Sequence, residues 1–117
     1  MTPYQIALLT LTVLAMSAGQ ILFKLAAQEI TTGASWIQQI LLNRFLIVAG
    51  VVYVSATAAW VALLRQIPLN IAYPMIALVY FVVPVLGHFF LQEPLRWQTF
   101  VGALVITLGI WISVGLE

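Results

Sequence analysis

The sequence predicts an all-α fold, a bundle of four transmembrane helices, on three observations. Of its 117 residues, 64% are hydrophobic and only 6% are charged, against ~25% charged in an ordinary soluble domain. Most of the surface must therefore face lipid rather than water. The apolar residues fall into four stretches of about 20 residues, the length that crosses a bilayer at ~1.5 Å rise per residue. No sustained alternation of polar and apolar residues is present, as a membrane barrel would need. In lipid each backbone N–H must be satisfied close by, which a helix does within its own segment.

The first helix is expected from about Tyr4 to Ala27, with Thr10, Ser17, Gln20 and Lys24 inside or near its end. It reads as a retained span rather than a signal peptide. No basic stretch precedes it, it runs too long, and no small-x-small site closes it. Thr31, Thr32, Gly33, Ala34 and Ser35 form a loop by their small polar character. After it, Trp36, Ile40 and Asn43 recur at helical spacing, and Trp favours the headgroup zone, so residues 36–44 read as an interfacial element. The second helix, about Phe45 to Leu64, carries no charge. The third runs from about Leu69 to Leu91 and contains Pro74, Pro84 and His88. Each proline removes a backbone donor and invites a kink, freeing the carbonyls of Asn70 and Tyr80. The fourth spans about Trp97 to Leu116. The connections are short, so residues 1–117 make one transmembrane domain. Lys24, Arg44 and Arg96 gather on one side, against Arg65 and the N-terminal amine on the other. That small excess favours loops one and three in the cytoplasm and also permits insertion in both orientations.

Polar residues recur on faces of these helices. Thr10, Ser17, Gln20 and Lys24 form one stripe on the first helix. Two readings stand: hydrogen-bonding glue between helices, or the lining of a substrate path with Lys24 meeting an anionic group. Asn70, Tyr73, Ala77, Tyr80, Pro84 and His88 line a similar face of the third helix, where tyrosine hydroxyls suit sugar or phosphate contacts. The alternative there is a kinked packing helix with interfacial tyrosines. His88 reads as an interfacial or packed histidine, since a metal site would need further ligands. Tyr53, Thr57, Trp60 and Leu64 share a face of the second helix that completes a cavity wall or simply packs. Gly102, Gly109 and Ser113 lie on one side of the fourth and suit close approach of a second helix in a dimer seam. Glu93, before Pro94, is placed to pair with Arg96 or to cap the fourth helix, and it also stands among the substrate-facing candidates.

The same inventory excludes several classes. There is one His, no Asp and no Cys, and the three Glu are dispersed. Paired carboxylates, a Ser-His-Asp set and a phosphate-cradling glycine loop are absent, so the chain is not expected to be an enzyme or to hold a metal or cofactor. A net charge of +1 argues against nucleic-acid binding. Four helices barely enclose a cavity that can open to either side, so a pair of copies, or of related chains, is expected.

Ala18-Gly19-Gln20-Ile21-Leu22-Phe23-Lys24, then Ile67-Pro68-Leu69-Asn70-Ile71-Ala72-Tyr73-Pro74, then Gln92-Glu93-Pro94 with Gly102 and Gly109, resemble in order and spacing the signatures of the drug/metabolite transporter superfamily. Two small families within it fit the length. The small multidrug resistance exporters carry a membrane-embedded Glu in the first helix, where this sequence has Met16. They also carry a Trp three residues after the third-helix Tyr, where it has Ile76. The small subunits of the aminoarabinose-phosphoundecaprenol flippase type match at Gly19, Gln20, Lys24, Ile71, Ala72, Tyr73, Pro74, Met75, Glu93 and Pro94. This second resemblance implies a homodimer or heterodimer in the bacterial inner membrane that moves an undecaprenyl-phosphate carrying one sugar. It implies a substrate path at Ser17, Gln20, Lys24, Tyr53, Trp60, Asn70, Tyr73, Tyr80 and Glu93. Gly19, Pro74, Pro84, Gly102 and Gly109 would then serve structure. Lys24 is the expected phosphate ligand, helped by Arg44 or Arg96, with no direct proton exchange. A cation or polyamine exporter and a non-transporting accessory subunit are the alternatives.

Overall fold

Local signals set the helix ends. In the computed structural model, which describes residues 2–30 and 35–115, Thr2 opens the first helix with a capping box. Its hydroxyl accepts the Gln5 N–H at 3.2 Å, and the Gln5 side-chain oxygen accepts the Thr2 N–H at 3.2 Å. Pro3 follows at the first helical position, where its missing donor costs nothing. This helix, α1, runs Pro3–Glu29. A short α2, Trp36–Leu42, follows. Asn43 then caps α3, Arg44–Leu64, accepting the N–H groups of Phe45 at 3.0 Å and Leu46 at 3.2 Å. The third span is two helices, α4 (Leu69–Ile76) and α5 (Val79–Leu91), and α6 covers Trp97–Gly115. Of the expected loop, residues 31–34 lie outside the described residues, as do Leu116 and Glu117.

Among the described residues there are four stretches long and apolar enough to cross a membrane: Pro3–Glu29, Arg44–Leu64, Leu69–Leu91 and Trp97–Gly115. The chain is an all-helical, multi-pass membrane protein. The third span differs from the expected pair of kinks. It is interrupted at Ala77–Leu78, three residues after Pro74, while α5 runs on through Pro84. Pro74 offers no N–H to the turn before it, and the turns after it tighten. Ala77 N–H donates to Pro74 at 3.1 Å, Leu78 to Met75 at 3.2 Å and Tyr80 to Ala77 at 2.9 Å, each to a carbonyl three residues back.

Packing centres on α1. Its most extensive contact is with α3, then with α5. The α3 face turned inward is Ala49, Ala56, Ala59 and Leu63, mostly small residues that let the backbones approach. Leu9, Val13 and Leu63 form the buried core, with Trp60, Met75, Ile76 and Val82 against it. The serine and threonine hydroxyls of Thr12, Ser17, Ser55, Thr57 and Thr107 do not glue helices together. Each donates to the carbonyl four residues back in its own helix, at 2.7–3.0 Å. The bonds between elements come from longer polar side chains. Gln5 donates to Gln66 at 3.1 Å at one end of the bundle, and Asn43 donates to the Ala26 carbonyl at 2.9 Å at the other.

Helix α6 is a peripheral member. It touches α4 and α5 lightly, and Ala103 is its one buried residue among those described. Phe100, Val101, Leu104, Val105, Leu108, Trp111 and Ile112 are exposed. The chain is a plate of 55 × 36 × 20 Å, about two helix diameters thick. Its radius of gyration of 16.5 Å exceeds the ~13 Å of a compact soluble domain of this length.

Candidate functional site

A plate of helices encloses little by itself, but α1 and the broken third span diverge around two neighbouring cavities. The larger, about 770 Å³, lies between α1, α5 and the start of α6. Gln20 and Lys24 enter it from α1, Tyr80 from α5, Glu93 from the turn after α5 and Thr99 from α6. The rest of its wall is apolar, with Ile21, Val79, Val83, Pro84 and Leu91 among the lining residues. The smaller, about 170 Å³, is lined by Met16, Tyr53, Ala56, Thr57, Trp60, Tyr73 and Ile76. Ile76, the last residue of α4, lines both.

One cluster joins the two. Gly19 is buried against α3, and a Cβ there would overlap the Tyr53 ring at Cδ2 and Cε2. The missing side chain lets Tyr53 lie flat across α1. Phe23, one turn on, meets the same ring at 5.1 Å between centroids. Gln20 then donates its side-chain N–H to the Tyr53 hydroxyl at 2.6 Å. Gly19, Gln20 and Phe23 thus make a three-sided seat for one tyrosine, which places Gln20 in the large cavity and Tyr53 in the small one. The sequence reading placed Gly19 in a motif but missed this seat. Glycine followed by polar and aromatic residues at i+1 and i+4 was its only signal.

The geometry sorts the remaining candidates. Lys24, Tyr80 and Glu93 join Gln20 on the large cavity, while Trp60 and Tyr73 join Tyr53 on the small one. Ser17 belongs to neither, because it is fully buried and its hydroxyl donates to Val13 at 2.7 Å. Asn70, exposed on the first turn of α4, lines neither. The stripe of α1 is accordingly split, with Ser17 turned into the helix packing and Gln20 and Lys24 into the cavity. Arg44 is committed elsewhere, pairing with Glu29 at 3.2 Å and lying 4.8 Å above the Phe45 ring. Arg96 does not line the cavity, and it forms no ion pair with Glu93 among the described residues.

Glu93 is held by its backbone. Gln92 takes the left-handed conformation, φ 57°, ψ 31°, and ends α5. The Gly87 carbonyl accepts N–H groups from both Gln92 and Glu93, the latter at 3.2 Å. The Glu93 carbonyl lies 2.9 Å from His88 Nδ1. A carbonyl can only accept, so that nitrogen carries the proton. His88 is therefore exposed but tied to the turn, and the Glu93 carboxylate folds back over Gly87.

Chemically, the large cavity presents one ammonium, one carboxylate, an amide, a phenol and the Thr99 hydroxyl within an otherwise apolar wall. The small one presents three aromatic rings and no charge. Met16 stands on its wall.

Comparison with known proteins gives concordant results. The model of the EamA-like transporter family matches residues 1–115. A probable 4-amino-4-deoxy-L-arabinose-phosphoundecaprenol flippase subunit ArnF from Proteus mirabilis is 42% identical over 62 residues, 51% of this chain and 47% of that protein. The ArnE subunit of the same name from that organism is 41% identical over 51 residues, 44% of this chain and 45% of that protein. With these two relatives the match spans about half of each chain. An ArnE subunit from Aeromonas salmonicida is 30% identical over 109 residues, covering 93% of this chain and 96% of that protein. No solved structure matches.

Proposed function

The chain belongs to the EamA-like transporter family, and on that premise we propose that it is one subunit of a flippase for an undecaprenyl-phosphate-linked monosaccharide, of the aminoarabinose type, in the bacterial inner membrane. The observation that carries the reading is the large cavity, in which Lys24, Gln20, Tyr80 and Glu93 stand on an apolar wall. A lipid-linked sugar has the same division. Its phosphate and sugar need polar partners, while the polyprenyl tail is best left in hydrocarbon. Lys24 meets the phosphate. Gln20 and Tyr80 offer hydrogen bonds to sugar hydroxyls, and the exposed flank leaves the tail in lipid. No carboxylate lines the small cavity to take up and release a proton within the membrane. We take direction to come from consumption of the product on the far side, without direct proton exchange. Such a subunit moves its substrate without transforming it.

The complete carrier is a pair. Helix α6 presents Gly102 and Gly109, where an added Cβ would meet nothing within 4 Å. The close helix contact that such residues permit is therefore not made within this chain. Relatives are named both ArnE and ArnF, which supports pairing with a related small subunit, with a second identical copy as the alternative.

A second reading, export of an organic cation, draws on the small cavity. Tyr53, Trp60 and Tyr73 around about 170 Å³ would suit a cation by its attraction to aromatic faces. One experiment separates the two. The purified protein is titrated with a polyprenyl phosphate, and in parallel with a quaternary ammonium, and its melting temperature is followed. Stabilisation by the lipid phosphate, lost in Lys24→Gln, is expected. Stabilisation by the quaternary ammonium alone refutes the flippase reading.

A further inference from the structure

We propose that the large cavity selects a head group bearing both an anion and a cation, with Glu93 as the residue that reads a free amine on the sugar. The inference rests on the flippase reading above and deepens it.

Two charges of opposite sign share this cavity. Lys24 stands on the α1 wall and Glu93 at the corner between α5 and α6. Neither takes part in an ion pair among the described residues, where the pair that forms is Arg44–Glu29. Both side chains are exposed, and an exposed pair gains little by closing on itself, so each is left available to a ligand. The Glu93 backbone is fixed. Its N–H is held by the Gly87 carbonyl, its carbonyl lies 2.9 Å from His88 Nδ1, and Pro94 confines it to extended conformations. The left-handed residue before it, Gln92, carries a side chain where glycine is the easy choice. That shape costs conformational energy, and it keeps the carboxylate folded over Gly87, on the α5 wall.

A ligand carrying only a phosphate would satisfy Lys24 and leave Glu93 facing an anion. A neutral sugar phosphate would desolvate Glu93 without compensation. A phosphate joined to an amino sugar answers both charges, and each resulting hydrogen bond is charge-assisted. A site built to pair a polar group rejects the analogue lacking it more sharply than a site that merely has room. Glu93 is on this view a specificity-determining residue, while Lys24 supplies affinity common to all phosphates.

The test uses the purified full chain in lipid nanodiscs and three probes: a bare polyprenyl phosphate, the same lipid carrying a pyranose with a free amine, and its counterpart with a hydroxyl in place of the amine. Apparent Kd is read from the shift of melting temperature. The wild type is expected to prefer the amine over the hydroxyl counterpart by about tenfold or more. Glu93→Gln is expected to bind the two equally. Equal binding of amine and hydroxyl by the wild type overturns the proposal and leaves the flippase reading standing. A preference that survives in Glu93→Gln overturns the assignment to Glu93. Binding of none of the three phosphates removes the flippase reading and this proposal with it. The wild-type comparison needs no variant, so a poorly folding Glu93→Gln would not hide the answer.

Discussion

Replacing Gly19 by alanine probes the contact on which the site is built. The added Cβ would lie inside the contact distance of Tyr53 Cδ2 and Cε2, and a ring seated against Phe23 cannot slide freely. Either α3 backs away from α1 or the ring swings out, and the second course breaks the 2.6 Å Gln20–Tyr53 hydrogen bond. Overpacking a close contact costs about 1–3 kcal/mol, and a lost side-chain hydrogen bond about 0.5–1.5 kcal/mol. Alanine recovers roughly 1 kcal/mol of helix propensity over glycine, so the net loss comes to about 1–3 kcal/mol by these terms. Unfolding of the detergent-solubilised protein, followed by helical circular dichroism, measures it. Gly102→Ala provides the control, since the added methyl meets nothing there within 4 Å. The decisive arm is a double-mutant cycle. With the ring removed by Tyr53→Ala, Gly19→Ala should cost nothing or stabilise, giving a coupling of at least about 1 kcal/mol. A Gly19→Ala protein as stable as the wild type, or one whose cost persists without the ring, would refute the reasoning.

Other outcomes follow from the same contacts. Asn43→Ala removes the cap of α3 and the bond to the Ala26 carbonyl together and should cost about 1–3 kcal/mol. Breaking the exposed Arg44–Glu29 pair should cost under about 1 kcal/mol, and thermal melts of Asn43→Ala and Arg44→Ala compare the two. Lys24→Gln should weaken binding of a polyprenyl phosphate by about tenfold or more without moving the melting temperature of the free protein, checked by ligand titration. Gly109→Leu should leave the isolated chain's melt within about 0.5 kcal/mol of wild type, because its site is open. The same change should disrupt pairing, as energy transfer between labelled copies in vesicles would report, and intact pairing would move the seam away from this face of α6.

Some of the site was legible in the residue order. Gln20 and Lys24 are four apart and so must share a face of a helix, and Tyr53, Thr57 and Trp60 do the same on α3. Those periodic relations survived folding, and each pair or trio reached a common cavity wall. Ser17 departs from that pattern. It lies within a turn of Gln20 on the same stripe, yet a few tens of degrees around α1 turn it onto the packed side. In lipid the surface is as apolar as the interior, so no change of composition marks which side of a helix is packed. Tyr73 and Tyr80 would share a face only if α4 and α5 were one cylinder, and the interruption at Ala77–Leu78 breaks that register and sends them to different cavities.

What the sequence by itself determined is the set of spans and the broad class of protein. These follow from local physics: the count of apolar residues against the bilayer and the scarcity of charge. Only the tertiary structure decided that Gly19 seats Tyr53, that Asn43 ties two helices, that Lys24 and Glu93 face one cavity while Arg44 is spent on Glu29, and that α6 stands at the edge. Each of those depends on which faces of distant segments meet. Hydrocarbon sets no hydrophobic force between helices to dictate that choice. It is made by small residues and a few polar contacts across tens of residues of chain, and local periodicity carries no record of them.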